Sequence, residues 1–118
     1  MKWILLCFLC FTFTACSKND NIPPDIIGKE KMEKVLWDMI QADRFAGQYL
    51  LKDSLKKDVK QETFILYEKV FQLHHITKDQ FVKSYKFYLS RPDITKVIFD
   101  SLALHANRRK EDVYKILK

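Results

Sequence analysis

Residues 29–51 have the sequence KEKMEKVLWDMIQADRFAGQYLL, in which apolar side chains recur every three or four positions. This recurrence places the apolar residues on one face of a helix with 3.6 residues per turn. The members of the face are Met32, Val35, Leu36, Met39, Ile40, Ala46, Tyr49 and Leu50. Such a face must be covered by other parts of the chain. The stretch therefore predicts a first helix, from Lys29 to about Leu51, within a helical domain.

Three further helices are predicted downstream. The second runs from about Val59 to His74. A capping box formed by Thr77 and Gln80 starts the third, which ends before Pro92 because the residue preceding a proline disfavours helical angles. Pro92 suits the first position of the fourth helix, where its missing N–H is harmless. The predicted buried faces are Phe64, Tyr67, Val70, Phe71 and Leu73 in the second helix, Phe81, Ser84, Tyr85, Tyr88 and Leu89 in the third, and Ile94, Val97, Ile98, Ser101, Leu102 and Ala106 in the fourth.

The sequence leaves the end of the fourth helix open. Val113, Ile116 and Leu117 continue its apolar face, whereas residues 107–110, Asn-Arg-Arg-Lys, are a candidate break within it. Four helices with short connections favour a small antiparallel bundle over residues 29–118. The predicted fold class is therefore all-α.

The composition agrees with one helical domain. A chain of 118 residues has the length of a single domain. Its residues are 47 % hydrophobic and 31 % charged, with only two glycines and three prolines. This balance argues against disorder and against a turn-rich β-sandwich. The excess of 21 Lys and Arg over 15 Asp and Glu is moderate and does not by itself identify a partner.

Residues 1–15 differ from the rest of the chain and have the pattern of a secretory signal. Lys2 is followed by an apolar run from Trp3 to Ala15. The run is too short for a transmembrane helix, which needs roughly 20 apolar residues. Phe13-Thr14-Ala15-Cys16 resembles the lipobox of bacterial lipoproteins, with Phe13 where leucine is usual. The resemblance implies cleavage between Ala15 and Cys16 and lipidation of Cys16.

The lipobox resemblance also explains the distribution of cysteines. Cys7 and Cys10 lie in the segment to be removed, so their C-x-x-C spacing is not expected to form a redox or zinc site. With Cys16 lipidated, the mature chain has no internal disulfide. A lipoprotein carries several acyl chains, which implies stable attachment to a membrane.

A tether is predicted over residues 16–28, between the lipid and the helical domain. Pro23 and Pro24 favour an extended path there. In some Bacteroidetes lipoproteins, a lysine and acidic residues after the lipidated cysteine direct export to the cell surface. Lys18 and Asp20 match that pattern only in part, because Asn19 interrupts it. The expected location is the cell envelope, at the outer membrane, with the facing side open.

The mature chain as a whole resembles a family of short Bacteroidetes lipoproteins classed as a domain of unknown function. One departure is His75, where such turns often have glycine. The resemblance implies a fold and a location, and it implies no reaction, cofactor or catalytic residue. The matching positions are Pro24, Ile26-Ile27, Lys31-Met32, Leu36-Trp37-Asp38-Met39, Ala42-Asp43, Tyr67, Val70-Phe71, His75-Ile76-Thr77-Lys78-Asp79-Gln80-Phe81, Ser84-Tyr85, Tyr88, Pro92 and Ile98-Phe99.

No catalytic, metal or cofactor site is predicted from the side chains. His74 and His75 are adjacent, unlike the i, i+4 pair that binds zinc from one helix face. Asp38 and Asp43 lie about 140° apart around a helix, which suits solvation or tertiary hydrogen bonding better than acid and base catalysis. The serines lack a nucleophile elbow, and the chain lacks a glycine-rich phosphate loop.

Partner binding is the remaining chemistry that the sequence indicates. Phe81, Tyr85 and Tyr88 form a stripe at i, i+4 and i+7, which suits core packing or a groove for a partner segment. The candidate partner-binding residues are Trp37, Asp38, Asp43, Phe81, Tyr85 and Tyr88. The basic run 108–110 is followed by Glu111 and Asp112, so a solvated helix face is expected rather than nucleic-acid binding. Attraction to anionic headgroups is a weaker alternative.

These observations favour a non-catalytic accessory lipoprotein that docks on another envelope protein or complex. The alternative is a chaperone-like or peptide-binding lipoprotein whose aromatic residues line a groove. An envelope enzyme is the least favoured interpretation. The expected partners are the membrane, through the lipid on Cys16, and an envelope protein.

Overall fold

The computed structural model describes residues 20–50, 52 and 58–117. These residues form four α-helices and no strand. The helices are α1 (Lys29–Phe45), α2 (Val59–Leu73), α3 (Lys78–Leu89) and α4 (Pro92–Ile116), and α1 continues into a π-helical segment, Ala46–Leu50. The predicted all-α fold of four helices is confirmed. The predicted signal segment and Cys16 lie outside the described residues.

The helix starts follow local capping signals. The Asp58 side chain accepts hydrogen bonds from the backbone N–H groups of Lys60 and Gln61 at 3.1 and 3.3 Å, which caps α2. Thr77 Oγ1 accepts from the Gln80 N–H at 3.1 Å, as the capping box predicts for α3. α4 begins at Pro92, also as predicted. These local signals set where α2, α3 and α4 begin.

The turn between α2 and α3 uses a left-handed residue. His75 has a φ of 51°, a conformation that favours glycine. The Ile76 N–H donates to the Phe71 carbonyl at 3.0 Å, and the His75 N–H donates to the Gln72 carbonyl at 3.1 Å. This pair of bonds is a Schellman motif, and it turns the buried Ile76 side chain back towards the core. The turn therefore accepts a side chain where related turns often have glycine.

The core is formed by all four helices and by the segment that precedes α1. Met32 and Val35 of α1 and Ile98 of α4 are almost fully buried at its centre. The buried cluster consists of Ile26, Ile27, Met32, Val35, Val70, Phe71, Ile76, Tyr88, Ile94, Ile98 and Leu102. All of these residues lie between positions 26 and 102, so a chain that starts at residue 17 retains the whole core.

The predicted tether, residues 16–28, is not separate from the domain over its second half. The Ile26 N–H donates to the Pro23 carbonyl at 3.1 Å, so Pro23 and Pro24 begin a turn instead of an extended path. That turn places Ile26 and Ile27 in the core. The Ile27 N–H donates to Ser84 Oγ at 2.9 Å, and the Ile27 carbonyl accepts from the Tyr88 hydroxyl at 2.7 Å. Burial of an isoleucine side chain contributes about 1.5–3 kcal/mol to stability. This contribution favours the packed arrangement over a freely extended segment.

Several residues of the predicted faces are not buried. The predicted burial of Phe64 and Leu73 in α2 is wrong, since their side chains are 52 % and 67 % exposed. The reason lies in the helix arrangement, because α1 packs against α2 and α4, and α3 packs mainly against α4. Helices α2 and α3 therefore leave part of their facing surfaces uncovered. The other exposed members of predicted faces are Ile40, Tyr49, Tyr85, Leu89 and Val97.

The last helix is continuous. α4 extends through residues 107–110 to Ile116, so the sequence's candidate break does not occur. The observed α1 ends at Phe45, earlier than predicted, because the chain changes there to π-helical hydrogen bonding. Among the described helices, none is both long and apolar enough to cross a membrane.

Candidate functional site

A groove lies between α2 and α3, beside α1. Its volume is about 310 Å³, and its walls are mostly apolar. We call it the aromatic groove, because four of its eight lining residues carry aromatic rings. The lining residues are Met39, Phe64, Tyr67, Glu68, Phe71, Lys78, Phe81 and Val82. It occupies the space that α2 and α3 would fill if they packed along their lengths.

Helix α2 supplies one wall of the groove. Phe64, Tyr67, Glu68 and Phe71 follow one another at i, i+3, i+4 and i+7, which puts their side chains on one helix face. Phe71 is buried against the core, whereas Phe64 is largely exposed. The rings of Phe64 and Tyr67 meet edge to face with their centroids 6.3 Å apart. The wall therefore changes from a buried end at Phe71 to an open end at Phe64.

Helix α3 supplies the opposite wall. The Phe81 ring centroid lies 5.2 Å from that of Phe71 and 5.8 Å from that of Tyr85, on which it stacks. These contacts form a row of three rings from the core to the surface. Val82, one position after Phe81, is exposed at the rim. Aromatic contact of this kind gives the groove a firm apolar surface.

A hydrogen bond from Tyr67 to Asp43 fixes the base of the α2 wall. The Tyr67 hydroxyl donates to Asp43 Oδ1, which links α2 to α1. This hydrogen bond, together with burial and the Asp43 charge, raises the pKa of Tyr67 to about 12. The hydroxyl therefore stays protonated near neutral pH and keeps donating. Glu68 and Lys78 add one charge of each sign to the groove.

Asp38 makes a second link between the same two helices. Its Oδ2 lies 2.7 Å from Nε2 of His74, at the end of α2. Tyr67 and His74 are seven positions apart, so the two links hold α2 against α1 at points two helical turns apart. The sequence leaves solvation or tertiary hydrogen bonding open for Asp38 and Asp43. In the structure each carboxylate makes a tertiary hydrogen bond, and the two do not act as a pair.

The other predicted partner-binding residues lie in different places. Phe81 lines the aromatic groove, and Tyr85 stacks on it. Tyr88 is buried in the core, where its hydroxyl donates to the Ile27 carbonyl, and it does not line the groove. Trp37 lies on the side of α1 that faces α4, with its ring centroid 5.8 Å from that of His105. The structure thus brings together part of the predicted set and separates the rest.

No cluster of metal-ligating side chains is assembled in residues 20–50, 52 and 58–117. Groups of three His, Cys, Asp or Glu side chains close enough for a metal ion are absent from this part of the chain. His74 is paired with Asp38, and His105 Nε2 lies 3.4 Å from Glu33 Oε1.

Of the eight lining residues, the sequence identified only Phe81 as a site residue and missed Met39, Phe64, Tyr67, Glu68, Phe71, Lys78 and Val82. Phe64 and Met39 were expected to be core residues, because both fit an apolar face. The spacing of Phe64, Tyr67, Glu68 and Phe71 contains the only available signal, since a glutamate in the middle of an apolar face indicates an edge exposed to solvent. The position of α3 relative to that face was needed to identify the groove.

The four helices and the open groove define a small all-α domain. The family model described as Domain of unknown function (DUF4296) matches residues 23–112, and the chain belongs to that family. The match starts ahead of α1, so it includes the Ile26-Ile27 segment that enters the core. The predicted membership of a family of unknown function is confirmed. No curated protein and no solved structure matches the chain.

Proposed function

We propose that the protein is a lipid-anchored module of a bacterial cell envelope that binds another envelope protein through the aromatic groove and catalyses no reaction. The observation that carries the proposal is the aromatic groove between α2 and α3, where Phe64 is exposed and Tyr67 and Phe81 line the apolar walls. An apolar groove with exposed aromatic side chains is a common site for a partner's peptide or helix. Aromatic residues are also enriched among those that contribute most to protein interfaces.

The proposed anchor is the lipid on Cys16. Support comes from Phe13-Thr14-Ala15-Cys16, which resembles a lipobox, and from the apolar run before it. The resemblance to short Bacteroidetes lipoproteins supports a location at the outer membrane. We expect Cys16→Ala to abolish acyl labelling and membrane retention, whereas the matched change Cys10→Ala leaves both intact. Persistent acyl labelling of Cys16→Ala would refute the anchor.

The shape of the groove supports one short partner segment as its occupant. A volume of about 310 Å³ admits a few apolar side chains and not a whole helix. A partner helix could insert two or three apolar residues from one face, at i, i+3 or i+4 spacing. Glu68 and Lys78 would then select a segment with a complementary charge beside its apolar residues. The proposed partner is therefore an envelope protein with an exposed amphipathic segment.

A chaperone-like role is the second candidate, because the same exposed rings could bind many unfolded polypeptides. Two features favour a defined partner instead. The Tyr67–Asp43 and His74–Asp38 links hold α2 against α1 and limit the adjustment of its wall. Binders of many sequences more often use flexible surfaces that can repack.

The test is cross-linking of the lipoprotein in native membranes, with captured proteins identified by mass spectrometry. Phe64→Ala removes the exposed ring of the groove, and Phe99→Ala is the matched control. Phe99 is 48 % exposed, close to the 52 % of Phe64, and it lies on α4 outside the groove. We expect one partner that is lost with Phe64→Ala and retained with Phe99→Ala. Capture of many unfolded outer-membrane polypeptides would favour the chaperone-like role, and equal capture by both variants would contradict the groove as the binding site.

A further inference from the structure

The second half of α4 extends beyond the core. Leu102 is its last buried residue, and the helix continues to Ile116. Ala106, Arg109, Val113 and Leu117 follow Leu102 at spacings of four, three, four and four, so they lie on the same helix face as Leu102. The face that is buried in the domain thus continues as a partly apolar, partly basic face without a covering helix among the described residues.

Two shallow clefts adjoin this face where it meets the end of α1. One has a volume of about 240 Å³ and is lined by Arg44, Ala106, Arg109, Lys110, Val113 and Tyr114. The other has a volume of about 580 Å³ and adds Phe45 and Tyr49. Arg44 and Arg109 belong to both clefts. We call this region the basic end, defined by Arg44, Arg109, Lys110, Val113, Tyr114 and Leu117.

The described residues of the basic end carry three positive charges, those of Arg44, Arg109 and Lys110. Arg109 donates a hydrogen bond to the Gln41 side chain, which holds the guanidinium beside α1. Within the described part of the chain, Arg44, Arg109 and Lys110 form no salt bridge. Glu111 lies about 160° from Val113 around the helix, whereas Asp112, at i+3, lies about 60° from Arg109. Glu111 therefore lies away from the face that carries Arg109 and Val113, whereas Asp112 borders it, and the three cations of the basic end outnumber this carboxylate.

Exposed apolar side chains accompany these charges. Tyr114 is 70 % exposed and Leu117 is 77 % exposed, and both lie on or beside the basic face. A helix with basic residues next to tyrosine and aliphatic residues is typical of a segment that lies in a membrane interface. The cations attract anionic headgroups, and the apolar side chains enter the boundary of the acyl chains. Water would solvate the charged groups, but contact of these apolar side chains with water is unfavourable.

We propose that the basic end binds the surface of a membrane that contains anionic lipids. This surface is separate from the aromatic groove, so the domain would contact a protein and a lipid surface at different places. The proposal rests on the lipid anchor only in one respect, which is that the anchor holds the domain near a membrane. Its test uses unlipidated protein. If that protein does not bind anionic vesicles, the proposed lipid anchor and the proposed role of the aromatic groove are unaffected.

The experiment measures binding of residues 17–118, which retain the whole core, to vesicles. Phosphatidylcholine vesicles with phosphatidylglycerol are compared with vesicles of phosphatidylcholine alone, and circular dichroism verifies the fold of each variant. Each basic residue near an anionic surface contributes about 1 kcal/mol, so we expect Arg109→Gln with Lys110→Gln to weaken binding about 25-fold. Lys60→Gln with Lys69→Gln removes the same charge from exposed positions on α2 and should leave binding within about 2-fold.

A second variant tests the apolar contribution. Tyr114→Ser with Leu117→Ser keeps every charge and is expected to weaken binding to the anionic vesicles, because apolar area no longer enters the interface. Equal binding to neutral and anionic vesicles would overturn the proposal. Equal loss with the α2 control variant would also overturn it, since the attraction would then come from net charge alone. A stable dimer that is disrupted by Tyr114→Ser with Leu117→Ser and does not bind vesicles would assign the face to a second copy of the chain instead.

Discussion

Oδ2 of Asp38 lies 2.7 Å from Nε2 of His74, and this pair joins the middle of α1 to the end of α2. The His74 side chain is only 14 % exposed, so its ring is shielded from water that could replace the carboxylate. A partly buried polar group that loses its partner costs about 1–3 kcal/mol. The pair is therefore expected to stabilise the side of the domain that carries the aromatic groove.

Asp38→Ala should lower the free energy of unfolding by about 1–3 kcal/mol, because it leaves the His74 ring without its partner. Urea denaturation of residues 17–118 measures the effect. The matched control is Asp100→Ala, which removes the exposed Lys96–Asp100 pair and should cost less than about 0.5 kcal/mol. Similar losses for both changes would show that the Asp38–His74 pair is no stronger than a surface pair.

Ile27→Ala tests whether the domain begins before α1. Ile27 is 3 % exposed and packs in the core, so truncation should cost about 2–5 kcal/mol through lost burial and a residual cavity. Ile65→Ala, at an exposed position of α2, is the control and should cost less than about 1 kcal/mol. Chemical denaturation compares the two variants. If Ile27→Ala were as mild as the control, residues 20–28 would contribute little to the core.

His75→Gly should stabilise the protein. The φ of 51° at this position strains a residue with a Cβ atom, and glycine removes that strain at some cost in unfolded-chain entropy. The net gain is expected to be about 1 kcal/mol, measured as a higher denaturation midpoint with an unchanged m-value. His75→Ala separates the backbone effect from loss of the imidazole, since alanine gives no relief at positive φ. An equal gain from alanine would argue that the imidazole, and not the backbone, causes the strain.

Two tyrosines should ionise at a higher pH than an ordinary tyrosine side chain. The hydrogen bond to Asp43 raises the pKa of Tyr67 from 10.0 to about 12, and burial together with the charges of Glu30 and Asp20 raises that of Tyr88 to about 12. A raised pKa in the folded state means that both contributions to stability are complete below pH 10 and are lost as the pH rises towards 12. Ultraviolet absorbance of the phenolate measures the titration.

In the folded protein, Tyr67 and Tyr88 should therefore ionise towards pH 12, and in denaturant, where the hydrogen bond and the burial are lost, both should ionise nearer pH 10. Tyr67→Phe and Tyr88→Phe should each remove one tyrosine that ionises towards pH 12. A single titration step for the folded protein would contradict the hydrogen-bonded and buried environments of Tyr67 and Tyr88.

Local signals in the sequence predicted the starts of α3 and α4, whereas α1 ends at Phe45, earlier than predicted. Thr77 and Pro92 act through their nearest neighbours in the chain, and the structure places both at helix starts as predicted. The Asn-Arg-Arg-Lys run at 107–110 contains neither glycine nor proline, so nothing in it forces a break, and α4 passes through it. What depends on adjacent residues could therefore be predicted from the sequence.

Features that depend on distant packing could not be predicted. Periodicity places Phe64 and Phe71 on one face of α2, but it does not say how far along that face the neighbouring helices extend. Phe71 meets Phe81 and is buried, whereas Phe64, two helical turns earlier on that face, is 52 % exposed. In the same way, Pro23 and Pro24 favour extension locally, and only the position of Ser84 and Tyr88 shows why the next two isoleucines are buried. The aromatic groove depends on both local and distant features. The spacing of its side chains along α2 could be predicted, whereas the extent of the neighbouring helices could not.

The unbroken course of α4 has a consequence for how the molecule is oriented. Its 25 residues span about 37 Å at 1.5 Å per residue, which exceeds the roughly 30 Å of a hydrocarbon core. Asp20, the described residue nearest to Cys16, lies close enough to Arg91 at the start of this helix for their charges to interact, and the basic end lies at the other extremity. α4 therefore works as a spacer between the two proposed points of membrane contact. A domain held at both must lie along the bilayer instead of standing on it.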